Sequence, residues 1–178
     1  MPETRFAQSF QLTYRNAITR FDNWQFLTNA GLYFPGAFLT HNLVLQGAFQ
    51  VRDTGVAFFS NNFPFSRGYT ADNFSRMYKL GANYHFPLLY PDAGFADIVY
   101  FLRIRANVFY DYTKTFIEPS NQPGSIYRSF GTEIFFDTKW WNQQPVSFGF
   151  RYSRLIDPDN GGRSPNQWEF ILPVNLIK

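Results

Sequence analysis

Cysteine is absent from all 178 residues, which removes disulfides, thiolate nucleophiles and sulfur metal sites together and leaves an oxidising compartment permitted. Histidine is nearly absent too. Only His41 and His85 occur, and no Gly-x-Ser-x-Gly, His-x-x-x-His or glycine-rich phosphate loop accompanies them. An enzyme is therefore not expected, and neither a metal nor a cofactor is. A lipid-modifying site with Ser and His on separate strands would leave no local motif, so that alternative stays open, with His85 as its base. No stretch approaches the roughly 18 apolar residues of a transmembrane helix. The net charge of +3 comes from basic residues scattered singly, with no Lys/Arg cluster to follow phosphates, so nucleic acid is excluded as a partner. The start, Met1-Pro2-Glu3-Thr4-Arg5, carries no apolar leader, so a protein that needs export would have to be a mature or excised segment.

What the sequence does have is alternation. From Ile98 to Asp111, Ile98, Tyr100, Leu102, Ile104, Ala106, Val108 and Tyr110 take one face of an extended ribbon. Arg103, Arg105, Asn107 and Asp111 take the other, because successive strand side chains point to opposite sides. About seven more ribbons repeat the pattern, over Phe6 to Arg15, Trp24 to Phe34, His41 to Arg52, Arg76 to Phe86, Tyr127 to Lys139, Val146 to Leu155 and Trp168 to Val174. Aromatic residues make up 21% of the chain, yet mean hydropathy is only −0.28, as alternation of large apolar and polar residues requires. The length allows one domain, 1–178. The expected fold is all-β: an antiparallel up-and-down transmembrane barrel of about eight strands, with apolar groups toward lipid and polar groups in the lumen. A soluble sandwich or lipocalin-like barrel shows the same period. Two arginines on one inward stretch and outward Phe and Tyr without charged neighbours favour the membrane form.

The connections sort by length. Long polar loops are expected at 53–73, 113–126 and 155–166, all on one side if the chain starts on the periplasmic side, with turns at 35–40, 87–97 and 140–145 on the other. Trp24, Phe34, Tyr90, Trp140, Trp141 and Trp168 fall near strand ends, where interfacial aromatic girdles belong.

Phe65-Ser66-Arg67-Gly68-Tyr69, in the longest loop and followed by five expected strands, resembles the C-terminal half of the BamA-like outer-membrane assembly, secretion and surface-antigen barrels. That family carries an Arg-Gly-Phe/Tyr loop motif before five strands. Phe109-Tyr110-Asp111 is similar to its Phe-x-Asp motif, and Gly131-Thr132-Glu133 lies near its glycine-containing inward motif. The resemblance implies that the loop motif Arg67, Gly68 and Tyr69 enters the lumen and that Arg67 pairs with Asp111, with Glu133 as a second partner. Asp111 and Glu133 both face inward by parity, and a shared carboxylate pair needs a cation such as a guanidinium. Left as a solvated loop residue, Arg67 would instead leave Asp111 to Arg103 or Arg105. The runs Asn83 to Pro87 and Asn107 to Tyr112 also resemble C-terminal barrels of large outer-membrane proteins without an assigned role. Family members have about sixteen strands, whereas three precede the loop here.

The remaining inward set, Lys79, Arg103, Arg105, Asp137, Arg151 and Glu169, has mixed signs, so a plugged salt-bridge network is expected over an open pore. The expected role is a portion of a membrane-protein assembly or translocation barrel in the outer membrane of a Gram-negative bacterium. Its expected partners are outer-membrane lipid and substrate or partner β-strands. The alternative is a passive barrel acting as an anchor or scaffold.

Overall fold

The computed structural model describes residues 6–18, 22–53, 59–60, 62–70, 74–95, 98–117, 122–141, 144–157 and 162–172. Met1 to Arg5 and the C-terminal Pro173, Val174 and Leu176-Ile177-Lys178 lie outside these. The fold is all-β, with strands β1 (Ala7–Ile18), β2 (Asp22–Pro35), β3 (Asn42–Arg52), β4 (Arg76–Leu89), β5 (Ala93–Phe95), β6 (Val99–Ile117), β7 (Gln122–Trp140), β8 (Gln144–Leu155) and β9 (Asn166–Ile171). Every pairing is antiparallel and follows chain order, β1-β2-β3-β4-β6-β7-β8-β9, with short β5 paired only to β6. Eight strands of this up-and-down sheet therefore match the eight expected ribbons. Among the described residues β1 pairs only with β2 and β9 only with β8, so no β1–β9 ladder closes the sheet.

Alternation places the side chains as expected, and burial is inverted relative to a water-soluble core. One face carries large apolar groups in the open: Phe10 is 70% exposed and Trp168 74%, with Leu12, Tyr14, Leu80, Phe130, Phe150 and Phe170 also exposed. The opposite face buries polar groups, among them Gln25, Gln50, Lys79, Asn107, Glu133 and Asp111, the last at 0%. Buried polar and exposed large apolar groups are the informative departures from ordinary globular patterning. Cross-strand aromatic pairs brace the apolar face: Phe136 stacks on Phe148 at 5.2 Å, and Phe150 lies 5.4 Å from Phe170.

Residues 62–70, between β3 and β4, cover the polar face. Phe63 packs with Leu27 of β2, Ala48 of β3 and Met77 of β4, and Tyr69 packs with Tyr127 of β7 and Leu155 of β8. A loop that crosses from β2 to β8 in this way provides the small apolar core that the polar face lacks.

Two expected connections are corrected. The span 113–126 is not a long loop: β6 runs to Ile117 and β7 starts at Gln122. Its polar residues continue the alternation, since Thr113 and Thr115 are buried on the polar face while Tyr78 packs against Tyr112 and Phe116 on the other. The Thr115 hydroxyl also binds both the amide and the carbonyl of Ser125 across the hairpin. The turn expected at 87–97 contains β5, whose three residues extend the β6 edge. Long connections on the 53–75 side are thus two, and the opposite side carries the tight β2–β3 turn. There Gly36 donates to the His41 carbonyl at 2.8 Å, and a Cβ on Gly36 would lie 2.5 Å from that of His41.

Strand depth predicts exchange. The β6–β7 hairpin is flanked by ladders on both sides, whereas β1 has one. Amide hydrogen exchange should therefore be slowest in β6 and β7 and fastest along β1. Equal protection of β1 and β6 would show that a further strand covers the β1 edge.

Candidate functional site

The site lies where the covering loop meets the middle of β4, β6 and β7. Four consecutive loop residues, Ser66 to Tyr69, enter it. Ser66 is buried, sharing a hydrogen bond of 2.7 Å with the Thr113 hydroxyl and donating to the Tyr127 carbonyl at 3.0 Å. Gly68 adopts φ +86°, and a Cβ there would come within 2.8 Å of Leu155 and 2.9 Å of the Ser153 Cβ. Glycine is needed twice, for the left-handed backbone and for the close approach to β8. The Tyr69 hydroxyl donates toward the carbonyls of Arg128 and Asp157, each at 2.9 Å, and accepts from the Asp157 amide at 3.1 Å.

These anchors deliver Arg67 onto the polar face. Its Nε donates to Asp111 at 2.7 Å and its Nη2 at 3.0 Å, a bidentate fork, while the Arg67 amide reaches the same carboxylate at 3.1 Å. Nη2 also donates to Asn83 at 2.7 Å, and Nη1 lies 3.4 Å from Glu133. The guanidinium carbon sits 3.6 Å from the centre of the Phe109 ring. Opposite Phe109 in the β6–β7 register is Gly131, where a Cβ would collide with the Tyr152 carbonyl and lie 2.9 Å from Phe109 Cζ. Glycine at 131 thus leaves room for the ring on which the cation stacks. The planar fork, the ring and the two carboxylates together define a geometry that lysine could not reproduce.

The charges around this clamp form one connected set. Lys79 donates to the Phe65 carbonyl at 3.2 Å and pairs with Asp111 at 3.2 Å. Arg151 bridges Glu133 and Glu169, both at 2.6 Å, and Asn107 donates to Glu133 at 2.8 Å. Three cations, Arg67, Lys79 and Arg151, meet three carboxylates, Asp111, Glu133 and Glu169. That balance is what a buried set requires, since an unpaired buried charge is far costlier than a paired one.

Arg103 and Arg105 do not join this set. Both pair with Asp137, at 2.7 and 3.1 Å, toward the opposite end of β6, so neither competes for Asp111. His41 sits at the β2–β3 turn, sharing a 2.9 Å hydrogen bond with the Tyr84 hydroxyl, while His85 lies half-buried on the polar face. The chain's two histidines are thus on different faces, and no Ser-His pair is formed between described residues. One partner pair carries no signal in the sequence: Arg128 grips Asp157 with Nη2 at 2.8 Å, Nε at 3.0 Å and its amide at 2.8 Å. Asp157 lies in a stretch with only loop signals, and its role is set by Tyr69 arriving from a residue 88 positions earlier. No protein-family model, curated protein or solved structure matches this chain.

Removing the Arg67 guanidinium would leave Asp111 and Glu133 buried with reduced compensation. Arg67→Ala should destabilise the fold by about 3–5 kcal/mol. In a double-mutant cycle with Asp111→Ala, denaturant unfolding should give a coupling of about 1–3 kcal/mol. Additive effects would mean that the pair contributes nothing as a pair.

Proposed function

We propose that this chain is a lipid-embedded sheet of an outer-membrane barrel, a portion of a BamA-like assembly or translocation barrel whose inner wall is pinned by the Arg67 loop. The observation that carries the reading is the clamp itself: an Arg-Gly-Tyr loop folded onto the charged face and forked onto Asp111. Loop, Phe-x-Asp strand and glycine-bearing strand meet at one point, which the resemblance requires and an unrelated β-sheet would not. The exposed aromatic face supports lipid contact. At one rim Trp140 and Trp141 border an apolar groove of about 470 Å³ with Phe148, Phe170 and Leu172, the kind of surface that acyl chains fill. The outer edges of β1 and β9, unpaired among the described residues, favour a role within a larger barrel that supplies further strands.

One feature favours the anchor reading: the loop packs onto the polar face from Phe63 to Tyr69 and covers the clamp. Activity separates the two. Lipid vesicles carrying the refolded chain should accelerate insertion of an unfolded outer-membrane barrel substrate, and Arg67→Ala should lose the acceleration. Vesicles no faster than empty ones would leave the anchor.

Membrane embedding has its own test. Val108, midway along β6 on the apolar face and 47% exposed, would face the bilayer centre. Val108→Arg should weaken folding into lipid by about 2–4 kcal/mol, read as loss of heat-modifiable gel mobility. A chain that is soluble and monomeric without detergent, and indifferent to Val108→Arg, would refute the membrane reading.

A further inference from the structure

At the strand end remote from the Arg67 loop, the polar face carries a second cluster whose charges do not balance. Arg103 and Arg105, on β6, share a single carboxylate, Asp137 of β7. Asp137 is further occupied by the Ser147 hydroxyl at 2.8 Å. Arg103 uses Nε and Nη2 on it, and Arg105 uses only Nε. Among the described residues, Nη1 of Arg103 and both Nη atoms of Arg105 have no acceptor. The Arg105 guanidinium is nevertheless held in place, 4.6 Å from the Phe135 ring centre and fixed through Nε to Asp137.

Both arginines border one cavity of about 250 Å³, together with Thr40, Asn42 and His85. Asn42 and His85 are register partners on β3 and β4, and His85 pairs with Asn107, two residues after Arg105 on β6. Three adjacent strands thus aim donors at the same space. The His85 ring hydrogen-bonds to none of the described residues, although an imidazole nitrogen can donate. With Arg103 47% and Arg105 35% exposed at their side chains, the site is open to solvent on one side and walled by the sheet on the other.

We infer that this cavity binds a phosphate group. Two guanidiniums against one carboxylate leave one positive charge uncompensated. The donors available are two unspent guanidinium edges, an imidazole, an amide and a hydroxyl, more than the two oxygens of a carboxylate can use. The three terminal oxygens of a phosphate monoester, each able to accept about two hydrogen bonds, accommodate all of them. The volume suits a phosphate monoester with a small substituent, from either free phosphate esters or the monoester headgroup of an anionic lipid at that rim. The inference is independent of the clamp and of the assembly role.

Inorganic phosphate titrated into the folded chain by calorimetry, in a maltoside detergent that contains no phosphorus, should bind saturably. Arg105→Gln should weaken binding about tenfold or more, the loss of charge-assisted hydrogen bonds. Asp137→Asn should strengthen it several-fold by freeing both arginines. A gain of affinity cannot come from misfolding, so this variant guards the test. Vesicles with phosphatidic acid, whose headgroup is a phosphate monoester, that compete with phosphate would identify a lipid headgroup as the source, and vesicles that do not would identify a soluble phosphate. Absence of saturable binding in the unaltered chain, or binding indifferent to both substitutions, would overturn the proposal.

Discussion

The covering loop and the charges beneath it depend on one guanidinium held between two carboxylates. Asp111 and Glu133 lie on neighbouring strands, both buried, and neither could stay ionised there without a cation. Lys79 and Arg151 supply part of it from the wall, and Arg67, which touches both acids, comes from a loop, so the charge that stabilises the sheet also fixes the loop. The loop in turn brings Phe63 and Tyr69, around which the apolar residues of the polar face gather. Electrostatics and packing are therefore one cooperative unit: without the fork, the aromatic residues would have little to hold them against polar strands. Tyr69 and the Arg128–Asp157 pair fasten the far side of the same loop, so it is tied to β4, β6, β7 and the β8–β9 connection.

The distribution of side chains follows from the same constraint. A sheet that places charges on its covered face must carry its aromatic residues on the other, and here those residues are exposed in ordered cross-strand pairs. In water such a face would drive association. In a bilayer it would be the solvated face, which is why embedding in lipid and the internal ion-pair network form a single proposal.

Much of the fold was legible in the sequence, because a period of two needs no knowledge of partners. The ribbon beginning near Ile98 and its neighbours emerge as strands, and the parity that put Asp111, Glu133, Arg151 and Glu169 on one side holds across the middle of the sheet, with the β6–β7 register shifting only between Phe101 and Arg103 and between Lys114 and Phe116. The extent of β6 and β7 was not legible. Thr113, Thr115, Pro123 and Gly124 resemble loop residues by composition, but polar residues on this sheet belong to its buried face, so polarity no longer marks a loop. The clamp was reachable only through resemblance, since parity identifies two inward acids but cannot tell which arginine meets them. Proximity in sequence favoured Arg103 and Arg105. Tertiary geometry favours Arg67, because Asp137 lies across the ladder from Arg103 and claims both nearer arginines. Asp157 was invisible for a different reason: it works through a tyrosine hydroxyl that only the folded loop brings near.

Arg67 holds the loop against the polar face, and the absence of cysteine makes that contact directly measurable. The Ser66 and Thr113 hydroxyls are 2.7 Å apart, so cysteines at these two positions should cross-link under mild oxidation in the folded chain. Disulfide formation should be near-complete, seen as a reducible shift in gel mobility, and should be lost when Asp111→Ala is added. Two free thiols that both react with a water-soluble reagent, or a cross-link indifferent to Asp111→Ala, would contradict it.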